Sequence, residues 1–208
     1  MAAKNATKKG FRLQQALVGA PKPYLIGLTG RAGHGKDTVG KKLSDEYDFV
    51  PFSFAEPINR AVSVLFNIPL ATLSDEVKKE QVIEKYGKSP RMIMQWFGTV
   101  VMRSQWGERF LVDHLDDRIL KNGCSSIVVT DVRFNDEAEL IKSKGGVVWK
   151  VDASQRLADK NKLVGSTVSH CTEKGIKEEL IDFFIDNNGA EKHLFAQVQE
   201  AMIEATRQ

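Results

Sequence analysis

Residues Tyr24 to Thr38 read YLIGLTGRAGHGKDT, and the reading of this stretch decides the fold. A short apolar run, Tyr24 to Leu28, leads into Gly30, Gly33 and Gly35, then Lys36, then TVGKKLSDEY, which reads as a helix over about 36–47. Strand, glycine-rich turn, lysine and helix are the parts of a phosphate-cradling loop in nucleotide-binding α/β proteins. The glycines let the backbone wrap with its N–H groups inward, where side chains would block a polyphosphate. The helix N-terminus adds partial positive charge, and Lys36 has the reach to meet β- and γ-phosphates. The competing reading is a tight turn that only caps a helix; the strand before and the helix after favour the phosphate loop. One letter departs from pattern: Asp37, followed by Thr38, stands where Ser or Thr usually holds Mg²⁺. The glycine spacing does not fit G-x-G-x-x-G, which removes dinucleotide-dependent dehydrogenases.

A chain of 208 residues is long enough for one well-buried domain with a small mobile subdomain. No apolar run approaches the roughly 20 residues of a membrane helix, so no membrane partner is expected. Of the formal net charge of +3, five positive charges come from Lys4, Lys8, Lys9, Arg12 and Lys22, leaving −2 for residues 23–208. The body thus lacks the basic balance of a nucleic-acid binder, and no stable nucleic-acid partner is expected. Residues 1–22 form a basic arm free of acids. It reads as a solvated tail, with a contact to nucleic acid or a partner and a transit-peptide-like segment as alternatives. A secretory signal is not expected, because no apolar core follows the lysines. Cys124 and Cys171 make neither a CxxC nor a metal spacing, and two free thiols fit a reducing, cytoplasmic setting. His170 beside Cys171 is too isolated to suggest a metal site.

Along the chain, strands are expected at about 24–29, 49–54, 126–130, 147–151 and 181–185. Pro51 places the second near a sheet edge. Helices are expected at 56–67, with Ala61, Val62, Leu65 and Phe66 on one face, and at about 74–86, 90–105, 108–121, 135–144, 173–180 and 190–206; 155–172 reads as loop. The alternation predicts an α/β fold of three layers, with a five-stranded, mainly parallel sheet between helices. A helical insertion, about 55–122, separates strands two and three. Ligands in such folds sit at the carboxyl ends of the strands, so the loops after strands one to four should converge on one cleft.

Strand three runs into Thr130-Asp131-Val132-Arg133. Asp131 is placed like the second acid of a nucleotide site, which holds Mg²⁺ or its waters; the bland alternative is a helix cap. Arg133 supplies a cation suited to a transferred phosphoryl group. In the helix opened by Ser89 and Pro90, Arg91, Gln95 and Gly98 or Thr99 share one face. Met92, Ile93, Trp96, Val100 and Met102 crowd the remainder, so the polar stripe reads as enclosed. A mid-helix glycine at 98 implies close packing, by another helix or by a substrate ring. Trp96, Trp106 and Trp149 read as core or cleft wall.

GRAGHGKDT (30–38), FSFAEPI (52–58), SPRMIMQWFGT (89–99) and TDVRFNDEAELI (130–141), in that order, resemble the phage-type deoxynucleoside monophosphate kinases of the P-loop kinase superfamily. SHCTE (169–173) and IDNNGAEKHLFAQV (185–198) fit the same pattern. The resemblance spans about Tyr24 to Met202. It implies that Asp after the loop lysine is a family signature, that Lys36, Asp37 and Arg133 are catalytic, and that Gly30, Gly33, Gly35, Lys36 and Thr38 hold ATP; Arg156, in the loop after strand four, is a candidate lid arginine over ATP, with a solvated loop arginine as the alternative. Arg91, Gln95, Gly98, Thr99 and Asp131 would hold the deoxynucleotide, and Asp37 and Thr38 would hold Mg²⁺, directly or through water. It further implies residues 23–208 as one kinase-like domain, with 55–122 binding the monophosphate and about 153–172 as lid, and a homodimer as the candidate assembly. Two positions depart from the family: Asn59 where a lysine is usual, with Arg60 beside it, and Val100 where an acid is common.

The activity implied is transfer of a phosphoryl group from ATP, with Mg²⁺, to a deoxynucleoside 5′-monophosphate. Two alternatives stay open on the sequence: a related small-molecule kinase of the dephospho-coenzyme A or phosphomevalonate type, and a nucleotide-dependent DNA-binding module.

Overall fold

The computed structural model describes residues 24–123, 126–158 and 175–205. The basic arm, Cys124, His170, Cys171 and most of the expected lid lie outside them. The chain divides into two compact units: one takes in the residues up to Phe52 and from Lys121 onward, the other is Ser53–Leu120.

In the first unit, β1 (Leu25–Thr29) is buried at all five positions and forms the centre of a five-stranded sheet. With β2 (Val50–Phe52), β3 (Ile127–Val132), β4 (Val147–Asp152) and β5 (Phe183–Asp186) the order is β2-β3-β1-β4-β5, every pairing parallel. Ile26 stands opposite Val128 on one side and Val147 on the other. β-Branched and aliphatic residues fill β1, β3 and β4 because a parallel strand in the middle of such a sheet has no wet face. Pro51, which has no N–H to give, lies in the edge strand β2.

Helices α1 (Lys36–Tyr47) and α7 (Glu191–Ala205) cover one face, burying Val39, Leu43, Leu194 and Val198 against Ile26, Leu28 and Trp149. Trp149 is fully buried and meets Phe183 edge-on at 6.0 Å between ring centres. Such a pair adds about 0.5–1.5 kcal/mol beyond its buried area. On the other face, α6 (Asn135–Ser143) packs Ile141 so closely that a Cβ at Gly27 would lie 3.2 Å from it.

The second unit holds α2 (Glu56–Phe66), α3 (Leu70–Ser74), α4 (Pro90–Gln95), which runs on as a π-helical stretch (Trp96–Arg103) and a last α-turn (Ser104–Trp106), and α5 (Phe110–Lys121) up to Leu120. The buried face of α2 is Ile58 and Val62, whereas Leu65 points outward. The helix expected at 74–86 does not form. Asp75 Oδ1 instead accepts the N–H of Val77 (3.0 Å) and Lys78 (2.8 Å), a side-chain turn that competes with helix. A single 3₁₀ turn (Lys78–Glu80) and an antiparallel bridge between Ile83 and Lys88 take its place. Val77 and Val82 are exposed there, so no apolar stripe existed to dock such a helix. Likewise, within 175–180 there is only a 3₁₀ turn (Glu178–Leu180), and residues 155–158, expected as loop, belong to a helical turn that begins at 154.

Candidate active site

The chain leaves β1 at Thr29 and enters α1 at Lys36 through the glycine loop. Gly30 has φ +137°, and a Cβ on it would sit 2.3 Å from the Val151 carbonyl oxygen. Gly35 has φ +98°, and a Cβ on it would sit 2.2 Å from Asn187 Nδ2. Both positions therefore demand glycine twice over, for conformation and for space. Gly35 is also the N-cap of α1, and the N–H groups of the first helical turn have no acceptor within the helix. Lys36 Nζ donates to the carbonyls of Gly30 (2.6 Å) and Arg31 (2.9 Å), which holds the ammonium against its own loop. Asp37 and Thr38 occupy the exposed side of that first turn.

The loop is fastened from beneath by residues that the sequence reading did not single out. His34 is buried, and its Nδ1 lies 3.2 Å from both the Val151 carbonyl and the Ala153 N–H. Which bond it makes is set by its protonation. Asp152 Oδ1 is 3.5 Å away. Burial lowers the pKa of His34; the Val151 carbonyl and Asp152 oppose this, and Lys36 and Arg31 reinforce it. Burial acts to raise the Asp152 carboxyl, but hydrogen bonds from the Ser154 hydroxyl (2.6 Å) and N–H (3.2 Å) bring it below the ordinary value.

Just past β5, Asn187 Nδ2 donates to the His34 carbonyl at 2.8 Å. Arg156 stands on the helical turn 154–158, whose N–H groups at Gln155 and Arg156 donate to Asn188 Oδ1. Its guanidinium donates to Asn187 Oδ1 and to the Gly33 carbonyl, each at 3.3 Å. The expected lid arginine is thus in hydrogen-bond contact with the phosphate loop.

At the end of β3, Asp131 is half-buried within the strand and Arg133 is exposed just beyond it. The cap of α6 comes from Glu137, whose Oε2 accepts the N–H of Arg133 (2.7 Å) and of Phe134 (3.1 Å). The ends of β1, β3 and β4 open on a cavity of about 380 Å³ whose lining includes Gly30, Arg31, His34, Arg133, Lys150 and Asp152. Loop, strand-end arginine and a polar wall therefore share one concave surface.

The remaining expected residues lie in the second unit. Arg91 and Gln95 are on α4, Gly98 and Thr99 in the π-helical stretch. Arg91 Nε donates to the Glu80 carboxylate. Gly98 is packed by Ile58 of α2, since a Cβ would lie 2.7 Å from its Cδ1. A neighbouring helix thus explains the glycine. Gln95 and Thr99 are exposed, and so are Met92, Trp96 and Val100, which corrects the expectation of an enclosed polar stripe. Trp106 is exposed too, so among the three tryptophans only Trp149 is core. Arg60, beside Asn59, forms an i,i+4 ion pair with Glu56 at 2.8 Å.

The family model for deoxynucleotide monophosphate kinases matches residues 70–198. A protein of Acanthamoeba polyphaga mimivirus, provisionally named a deoxynucleotide monophosphate kinase, is 29% identical, with 84% of this chain and 93% of that protein covered. The deoxynucleoside-5′-monophosphate kinase of Escherichia phage T5 is 26% identical, with 76% and 86% covered. Among solved structures, a shikimate kinase from Acinetobacter baumannii superposes with a TM-score of 0.51 at 17% identity over 92% of this chain and 98% of its own. That likeness bears on the fold alone.

Proposed function

The chain belongs to the deoxynucleotide monophosphate kinase family, and from that premise we propose that it phosphorylates deoxynucleoside 5′-monophosphates to diphosphates with ATP and Mg²⁺. The observation that carries the reading is the phosphate loop: Lys36 and Arg156 are in direct contact with its carbonyls, and its residues Gly30, Arg31 and His34 line a cavity together with Arg133.

The acceptor is a phosphate oxygen already anionic near neutral pH, so the reaction needs no strong base. Positioning and charge neutralisation carry it. The loop N–H groups and Lys36 bind the donor's β- and γ-phosphates. Arg156 gives up the Gly33 carbonyl for a phosphate oxygen, and Arg133 faces the group in transfer. Arg91, Gln95, Thr99 and Asp131 bind the acceptor, while Gly98 lets its helix pack on Ile58. Among the described residues no cluster of three or more His, Cys, Asp or Glu forms a protein metal cage. Mg²⁺ does not require one: it takes one or two carboxylates, a hydroxyl, water and substrate phosphates. Asp37, Thr38 and Asp131 supply hard oxygen donors of that kind. A bound Mg²⁺ would neutralise charge on the donor phosphates.

A coupled assay of ADP release across the four deoxynucleoside monophosphates and their ribose counterparts tests the reading. Turnover that depends on an added deoxynucleotide is expected. Turnover only with another phosphate-bearing small molecule, or none with any nucleotide, would reject it.

A further inference from the structure

We propose that Asn187 is a positioning residue for the donor phosphates, holding the phosphate loop and Arg156 in one arrangement so that both meet the triphosphate together. This rests on the reading of the loop as the ATP site and adds a residue to it. Asn187 is 4% exposed, and its own N–H is fixed by the Asp152 carbonyl at 2.6 Å, at the end of β4. Its side chain has one donor end and one acceptor end, and the two partners dictate which is which. The His34 carbonyl takes Nδ2–H, and the Arg156 guanidinium gives to Oδ1. Neither partner tolerates the reverse.

The bond to His34 fixes the loop's shape. In a planar trans peptide the C=O and the following N–H point in opposite directions. Turning the His34 carbonyl onto Asn187 therefore aims the Gly35 N–H, one of the loop's phosphate donors, away from Asn187. The tight approach of Gly35 to Nδ2 leaves the loop no room to shift in that direction. The bond to Arg156 leaves its Nη2 on the Gly33 carbonyl, where an arriving phosphate oxygen can replace it while Nη1 stays held. Asn188, capping the turn that carries Arg156, secures the same element through its backbone.

The test combines Asn187→Ala, which deletes both bonds, with the isosteric Asn187→Asp, which keeps an acceptor for Arg156 but cannot donate to His34. Affinity for a fluorescent ATP analogue is titrated alongside the KM of each substrate. Losing a buried hydrogen bond that shapes the loop should weaken analogue binding and raise the ATP KM about tenfold in both variants, with the acceptor KM within about twofold of wild type. In an Arg156→Ala background, Asn187→Ala should cost less than in wild type. If Asn187→Ala does not fold, Asn187→Asp decides by the same titration. Unchanged analogue affinity in a folded variant overturns the proposal, as does an equal rise in both KM values with a lower Tm, which marks general loosening. If wild type binds the analogue but shows no deoxynucleotide-dependent turnover, the proposed function fails and the titration still judges Asn187.

Discussion

The backbone N–H of Arg133 donates to the buried carboxylate of Glu137 at 2.7 Å, and the same oxygen takes the N–H of Phe134. One acid thus closes the first turn of α6 and fixes the backbone from which the proposed catalytic arginine projects. Glu137→Ala would leave two donors without this acceptor, at about 1–3 kcal/mol of stability. Turnover should fall more than substrate affinity, because the arginine would sample more directions. Glu137→Gln keeps an oxygen acceptor and should recover most of both. Equal activity in Glu137→Ala, measured beside its thermal midpoint, would detach the cap from the chemistry.

That cap also shows where the sequence was informative. In DVRFNDEAELI the helix start at 135 is legible from the apolar pattern, whereas the strand, expected to end at 130, runs on through Asp131 and Val132. The role of Glu137 was not legible, since an acid in a first helical turn is ordinary there. The glycine loop was legible because its chemistry is local: an apolar strand, glycines and a lysine within fifteen residues. The struts beneath it were not. Asn187 meets His34 across 153 positions, and no local pattern announces such a pairing. Periodicity failed at 74–86, where the Asp75 turn overrode helix-forming charged residues, and at Trp96–Arg103, where the helix widens to π geometry. A period of 3.6 residues cannot reveal a change of period.

His34 predicts a pH dependence. Burial, the largest influence, lowers its folded-state pKa below the ordinary 6.5, so the unfolded chain binds its proton more readily. Stability from this residue is then fully present above about pH 6.5 and is lost as pH falls from there towards the folded pKa. Asp152, also lowered, gives up its contribution only further down, below its ordinary 3.8. Wild type should therefore lose thermal stability as pH falls below about 6.5, and His34→Asn should flatten that slope. Identical slopes in the two proteins would show that His34 is not the titrating group.

The packing of Gly98 on Ile58 gives a steric prediction. A methyl at 98 would meet Ile58 Cδ1 at 2.7 Å, the mobile end of a side chain. Gly98→Ala should therefore destabilise by about 1–3 kcal/mol, the usual range for overpacking. Ile58→Val removes the offending methyl, so the double variant Ile58→Val/Gly98→Ala should be more stable than Gly98→Ala alone. Chemical denaturation of the three variants measures the non-additivity. Strict additivity would mean that the methyl finds room elsewhere.

Glu80 and Arg91 give the last prediction. Arg91 sits in the first turn of α4, its Nε bonded to Glu80 on the preceding 3₁₀ turn. A bond through Nε orients the guanidinium plane and presents its terminal nitrogens as a fork, the geometry that takes a phosphate in two bonds. The pair itself is partly exposed, with Glu80 47% accessible, so its net worth to folding is about 0–1 kcal/mol. Glu80→Ala should hardly move the thermal midpoint, yet should raise the KM for the deoxynucleoside monophosphate about three- to tenfold, about 0.7–1.4 kcal/mol of lost orientation. The KM for ATP should stay unchanged, because the loop proposed to bind it belongs to the other unit. Glu80→Gln, which still accepts from Nε, should behave close to wild type, whereas Arg91→Lys should not be rescued by any change at 80, since an ammonium has no fork. Tighter acceptor binding in Glu80→Ala would show the opposite relationship, with Glu80 competing with the phosphate for Arg91 rather than aiming it.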